Sequence, residues 1–220
     1  MGKSLKITKI EEQKHNSERV NIYVDGEYKF SLTLDSCADN YLYEGREITE
    51  EDIRKFSDGD SKILALNYLN YQLGFGMKTE KEMRDKLRKK EYREEDIDYA
   101  ISKGKKYGYI DDDNYVKCYI KQRALQNDWG PTKVMGMLLQ KGIDKEIIQD
   151  GINKYMTNDD LYNAVLECGT KKYKLLDKSK NTPRQCRDKV LRYLISKGYT
   201  YDLCVQVVSN IMAFSDEDYD

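Results

Sequence analysis

The sequence has little of what enzymes and secreted proteins usually carry. Its 220 residues include one histidine, His15, two prolines, one tryptophan and four phenylalanines. Five cysteines, Cys37, Cys118, Cys168, Cys186 and Cys204, are odd in number and far apart, with no C-x-x-C pair. This argues against a zinc site and a disulfide framework, and predicts free thiols in a reducing cytoplasm. No apolar run approaches the roughly 18 residues of a membrane helix. No apolar core follows the first methionine, so secretion is not expected. Met1-Gly2-Lys3-Ser4 has the outline of a lipidation start, but a β-like run follows at once and it reads as a plain terminus. A Walker loop, a G-x-S-x-G elbow and an H-E-x-x-H pair are all missing. His15 sits among polar residues in a turn, and Gly74-Phe75-Gly76 is a lone glycine pair suited to a linker. Asp111-Asp112-Asp113 lacks the glycine and distal glutamate of a calcium loop and reads as the acidic cap of a helix. The sequence therefore predicts a protein that is not an enzyme and holds no metal or cofactor.

What is present is charge and tyrosine. Charged residues make up 35% and apolar residues 39%, the mix of a helix-rich chain with many solvated faces. Nineteen tyrosines suit thin cores close to solvent, because the ring covers apolar surface while the hydroxyl stays wet. The net charge of −1 hides an asymmetry: residues 1–60 carry −5, residues 61–110 carry +4, residues 158–212 carry +4 and the last eight carry −4. Cationic helical segments between acidic ends favour an anionic or mixed-charge partner.

Residues 5–34 alternate apolar and polar. Leu5, Ile7 and Ile10 mark a first strand, Val20, Ile22 and Val24 a second, and Tyr28, Phe30, Leu32 and Leu34 a third. Asp25-Gly26 is a hairpin signal, since both residues tolerate positive φ. A three-stranded antiparallel sheet is expected, leaning on a helix over 35–43. Thr49 starts another helix, and Phe56-Ser57-Asp58-Gly59-Asp60-Ser61 is expected to break the pattern and end the domain.

From residue 61 the apolar period is helical, and one phrase recurs. Val134 to Ile143 reads as a short helix, a glycine stop and a branched apolar residue, followed by another helix. Met83–Tyr92 and Val190–Tyr199 repeat it at offsets of 51 and 56 residues. Thr79-x-x-Glu82 is a capping box, and Gly130-Pro131 and Thr182-Pro183 start helices where proline needs no amide donor. The fold class predicted is mainly α: tandem three-helix repeats in a curved, elongated array, with a small N-terminal antiparallel β-sheet domain. The expected divisions are 1–60, then three-helix repeats over 61–110, 111–157 and 158–212, then an acidic tail over 213–220. Motion between repeats is expected at 126–130.

Candidate binding residues are the cations on the exposed helix faces. They are Arg84, Arg88 and Lys89 in the first repeat, then Lys117, Lys121, Arg123, Lys133 and Lys141 in the second. Arg187 and Arg192 follow in the third, with Lys105, Lys106, Arg184 and Lys189 nearby. Each alone reads as a solubilising residue; their recurrence favours one long partner. No aromatic stacking platform is evident in the linear sequence.

Several segments in order resemble the RecX family of bacterial regulatory proteins. These are Tyr107–Asp113 (Tyr-Gly-Tyr-Ile-Asp-Asp-Asp), Gly130-Pro131, Leu138-x-x-Lys141-Gly142-Ile143 and Leu194-x-x-Lys197-Gly198-Tyr199-x-Tyr201-Asp202. The resemblance covers residues 61–212, and residues 1–60 are similar to the N-terminal extension of some Gram-positive members. Glu91 departs from it, standing where the other repeats have Gly142 and Gly198, and Gly74–Met77 is longer than usual. The resemblance implies a non-enzymatic modulator that binds the RecA–DNA filament and limits its growth, ATP hydrolysis and strand exchange; a cytoplasmic monomer is expected. The alternative is a helical-repeat protein that binds single- or double-stranded DNA directly.

Overall fold

The computed structural model describes residues 4–217 except 15, 125, 127 and 178, with side chains for all of these but 123, 124 and 214–217. His15 and the side chain of Arg123 lie outside that set. The described residues form two compact units, one of residues 1–77 with 83–110, the other of 78–82 with 111–220.

In the first unit β1 (Leu5–Gln13), β2 (Asn16–Val24), β3 (Glu27–Thr33) and β4 (Glu47–Ile48) form an antiparallel sheet in the order β3-β2-β1-β4. The sheet thus has a fourth strand beyond the three expected. Glu47-Ile48 is too short to show a period of two, and only its pairing with Leu5 and Lys6 makes it a strand. The hairpin between β2 and β3 turns at Asp25 and Gly26, with φ of 51° and 88°. One face buries Leu5, Ile7, Val20, Ile22, Val24, Phe30, Leu32 and Ile48. Helix α1 is shorter than expected, Leu34–Asp39; Thr33 caps it by accepting from the Ser36 amide.

The expected break at Phe56–Ser61 does not occur. Helix α2 runs from Glu50 to Leu73 without interruption, opened by a capping box between Thr49 and Asp52. Its first half puts Ile53 and Phe56 into the sheet core, and its second half puts Ala65 and Leu69 into a helical core. The polar run between has a physical reason. Asp60 accepts from the amide and hydroxyl of Thr33, each at 2.7 Å, and pairs with Arg19 at 3.2 Å. One residue on, the Ser61 hydroxyl donates to buried Asp96 at 2.6 Å, and Asp58 accepts from Arg93. Residues that look like a loop are polar because they tie one helix to two neighbours.

Helices α3 (Glu80–Arg88) and α4 (Glu94–Lys106) complete the first repeat, with Met83, Leu87, Ile97, Ala100 and Ile101 packed beside Leu69. In the second unit α5 (Asp112–Tyr119) passes into a π-helical turn over Ile120–Ala124, then α6 (Pro131–Gln140) and α7 (Lys145–Tyr155) follow. The third repeat is α8 (Asn158–Lys174), α9 (Pro183–Ser196) and α10 (Tyr201–Glu217). Asp111 caps α5 by accepting from the Asn114 amide, the role its acidic run suggests. The π turn is not visible in the apolar pattern, which stays in phase from Val116 to Ile120. Leu175, just past the end of α8, is 81% exposed.

Candidate partner-binding surface

The recurring phrase is a packing joint. Within the second unit, residues 78–82 meet the turn that ends α6. The Thr79 hydroxyl donates to the Lys141 carbonyl at 2.8 Å, and the Lys141 ammonium reaches Glu82 at 2.5 Å. The same joint joins the second and third repeats. There the Gly130 amide donates to the Lys197 carbonyl at 2.8 Å and the Thr132 amide to the Gly198 carbonyl at 3.1 Å. Gly142 and Gly198 have φ of +79° and +92°, and a Cβ on either would lie within 2.5 Å of Lys81 or Lys133 atoms. A left-handed, crowded position admits only glycine. Glu91, the matching residue of the first repeat, has φ of 61° but is exposed, so the demand for a bare Cα is gone there.

The joint also sorts the candidate cations. Lys141 is half-buried, paired with Glu82, and lies over the Tyr115 ring at 5.4 Å. Tyr115 stacks on Tyr119, Tyr119 meets Trp129, and Lys133 lies over Trp129 at 4.8 Å. Lys133 and Lys141 therefore close the two ends of an aromatic ladder, where a cation gains from the ring face. Burial pulls the Lys141 pKa down, but hydrogen bonds to Glu82 and the Tyr115 hydroxyl outweigh it and leave the pKa above its ordinary value. In the first repeat Arg84 pairs with Asp98 at 2.7 Å, and Arg88 holds Glu94 in a two-pronged contact at 2.7 and 3.1 Å. These arginines brace α3 against α4, while Lys89 is exposed. In the third repeat Arg187 is exposed, and Arg192 is exposed with its Nε donating to the Asp188 carbonyl.

The structure does gather cations on one face of the second repeat. Lys117 and Lys121 lie a turn apart at the end of α5 and in the π turn. Lys154, on α7, was not among the sequence candidates. Lys121 and Lys154 each lie 5.5 Å from the Tyr155 ring centre. Lys117, Lys154 and Tyr155 line a cleft of about 510 Å³ with Asp113, Asn114, Ile147, Asp150 and Gly151. The two helices can approach because Gly151 faces Val116: a Cβ there would lie 2.3 Å from the valine side chain. Three lysines against two carboxylates leave this face net positive. Lys154 and Tyr155 carry no motif, and only the fold brings them beside Lys117.

The sequence shows no aromatic platform, yet the first unit has an exposed aromatic cluster. Tyr71 lies in the last turn of α2 and Phe75 just beyond its end, Tyr107 and Tyr109 follow α4, and all four rings lie on the surface. They are 32 to 38 residues apart, which hides the cluster from a linear reading.

Burial disfavours the thiolate at three of the cysteines. Burial pushes the Cys204 thiol up to about 11 and raises Cys37 and Cys168 as well. Among the described residues no group of His, Cys, Asp and Glu could hold a metal ion, and no helix is long and apolar enough to cross a membrane.

Comparison with known proteins accounts for the same architecture. Four domain models match in order: the regulatory protein RecX N-terminal domain over residues 5–49, and the first, second and third RecX three-helix domains over 62–103, 111–152 and 158–208. The chain belongs to the RecX family of regulatory proteins. The regulatory protein RecX of Clostridium beijerinckii is 37% identical over 97% of this chain and 99% of its own. That of Clostridium acetobutylicum is 33% identical over 94% and 96%. A crystal structure of regulatory protein RecX superposes with a TM-score of 0.74 at 26% identity, covering 92% of this chain and 98% of that one. RecX from Lactobacillus salivarius gives 0.64 at 26% identity, covering 70% and 97%. The first two RecX domain matches leave residues 50–61 between them, the first half of α2, which carries Asp60 and the links to β2 and β3.

Proposed function

We propose that this protein regulates a RecA-type recombinase, binding the recombinase–DNA filament and restraining its ATPase, growth and strand exchange. The observation that carries this reading is the ordered series of four RecX domains along the chain, shared with relatives named regulatory proteins. Repeats joined in series can touch several protomers of a filament and gain avidity without any single strong contact. Lys117, Lys121 and Lys154 around Tyr155 are the surface best suited to the filament, with Arg187 and Arg192 as exposed cations of the next repeat. Lys89 and Lys105–Lys106 are exposed cations of the first. Lys133, Lys141, Arg84 and Arg88 serve the fold instead, and no cofactor enters the reading.

The test is the DNA-dependent ATPase of RecA with this protein titrated in. Inhibition near stoichiometric amounts is expected, and no effect rejects the proposal. Lys117→Ala, Lys121→Ala and Lys154→Ala together should weaken inhibition about tenfold or more; full inhibition by the triple variant rejects this surface. The same cluster favours a second reading, direct binding to DNA. That reading requires tight binding without RecA and a steep fall in affinity with salt. It is separated from the first by fluorescence anisotropy on labelled DNA alone.

A further inference from the structure

Helices α2 and α4 end side by side in the first unit, and their ends carry an aromatic surface that the core does not use. Tyr71, Phe75, Met77, Tyr107 and Tyr109 are 62, 68, 45, 58 and 59% exposed. Asn70, Leu73, Met77 and Tyr109 line a cleft of about 430 Å³ between the two ends. Tyr71 and Phe75 meet edge to face at 4.9 Å, and Tyr107 and Tyr109 lie 6.0 Å apart. Seven other rings of this chain, those of Tyr23, Tyr68, Tyr99, Tyr115, Trp129, Tyr155 and Tyr193, each carry a lysine over the face. The rings of this patch carry none among the described residues. The last turn of α4 is cationic, with Lys103, Lys105 and Lys106 directly before Tyr107.

We propose that this cleft docks an acidic peptide segment of a partner protein, anchored by one bulky apolar side chain. A contiguous exposed apolar patch with a charged rim marks an interaction site, and tyrosine, phenylalanine and methionine are the residues that carry interface energy. The concave wall of Leu73, Met77 and Tyr109 takes the anchor. Methionine fits its shape to different anchors because its side chain is unbranched and soft. The Asn70 amide can bond the backbone of an extended peptide. The lysines at the rim attract the acidic residues beside the anchor and raise the rate of encounter. A nucleic-acid strand would need cations strung along a track and ring faces open in series. Here the cations are confined to one helical turn, one ring pair meets edge to face, and the centre is a hollow. This inference goes beyond recombinase regulation and does not rest on it.

The test is fluorescence anisotropy of the full chain with a labelled acidic peptide ending in phenylalanine. The same peptide ending in serine and a labelled oligothymidine serve as comparisons. The phenylalanine peptide is expected to bind at least about tenfold more tightly than the serine peptide. Tyr109→Ser and Phe75→Ser, both at exposed positions, should each weaken it about tenfold, and Lys106→Glu should weaken it with loss of the salt dependence. Unchanged melting temperatures confirm that the variants fold. Equal binding of the two peptides overturns the proposal, as does affinity unaffected by Tyr109→Ser and Phe75→Ser. Oligothymidine that binds and displaces the peptide, with the same variant losses, makes the patch a nucleic-acid platform and likewise overturns it.

Discussion

At the scale of single residues, the joint glycines and Glu91 are one position under two regimes. Gly142 stands against Lys81, so Gly142→Ala adds a methyl where no space exists and strains a backbone at φ of +79°. A loss of about 3 kcal/mol is expected from crowding plus strain. Glu91 pays the same conformational strain without crowding. Glu91→Gly should therefore stabilise the protein by about 1 kcal/mol. Urea denaturation of both variants checks the pair, and destabilisation by Glu91→Gly refutes the account. Asp96 sets a pH dependence. Burial alone would raise its pKa, but hydrogen bonds from Arg93 and Ser61 overcome that and hold it below the ordinary value. A depressed folded pKa means that the stabilisation is present above the unfolded value of about 3.9 and is lost as pH falls through the folded one. Asp96→Asn should be less stable at neutral pH, yet lose less stability than the native chain on acidification below about pH 4. Parallel acid titrations would refute the role.

At the scale of elements, helix N-termini are used as docking plugs. The first turns of α3 and α6 are capped or started by Thr79 and Gly130-Pro131, and the same residues bond the carbonyl before the next glycine. Lys141 strengthens one of these joints. Its raised pKa gives stabilisation that is complete below the unfolded lysine value of about 10.4 and is lost as pH rises through the folded one. Lys141→Ala should thus cost on the order of 1 kcal/mol at neutral pH and flatten the alkaline loss of stability. The proposed inhibition of the RecA ATPase should be unchanged in this variant once it is folded. A selective loss of inhibition would make Lys141 a contact residue after all.

At the scale of the whole molecule, α2 couples the sheet to the helical repeat. Its two halves enter two cores, and Asp58, Asp60 and Ser61 hold both neighbours from the same two turns. A fragment of residues 61–220 removes Asp60 and the helix start that Thr49 and Asp52 cap. Its first repeat should melt lower than in the full chain and expose apolar surface to a hydrophobic dye. Identical melting of the first repeat with and without residues 1–60 would show that the coupling is absent.

The alternation of Val20, Ile22 and Val24, the Asp25-Gly26 turn and the recurring Leu-x-x-Lys phrase, closed by glycine in two repeats and Glu91 in the first, by themselves determined the three long strands, the hairpin and the three repeats. Each is a local rule: side-chain period, positive φ, or a helix stop that must recur wherever the same unit is packed. The unbroken course of α2 was not legible, because Asp58 to Ser61 are polar for tertiary reasons and polarity in sequence reads as a loop. Nor could a linear reading divide the lysines. Lys141 and Lys117 look alike until one is seen against Glu82 and Tyr115 and the other at the edge of an open cleft. The aromatic cluster was hidden for the same reason, since its halves come from helix ends more than thirty residues apart. Local sequence rules decide which segments are helix, strand or turn; which charges are paired and which rings are exposed depends on contacts between distant residues, and only the tertiary structure decided that.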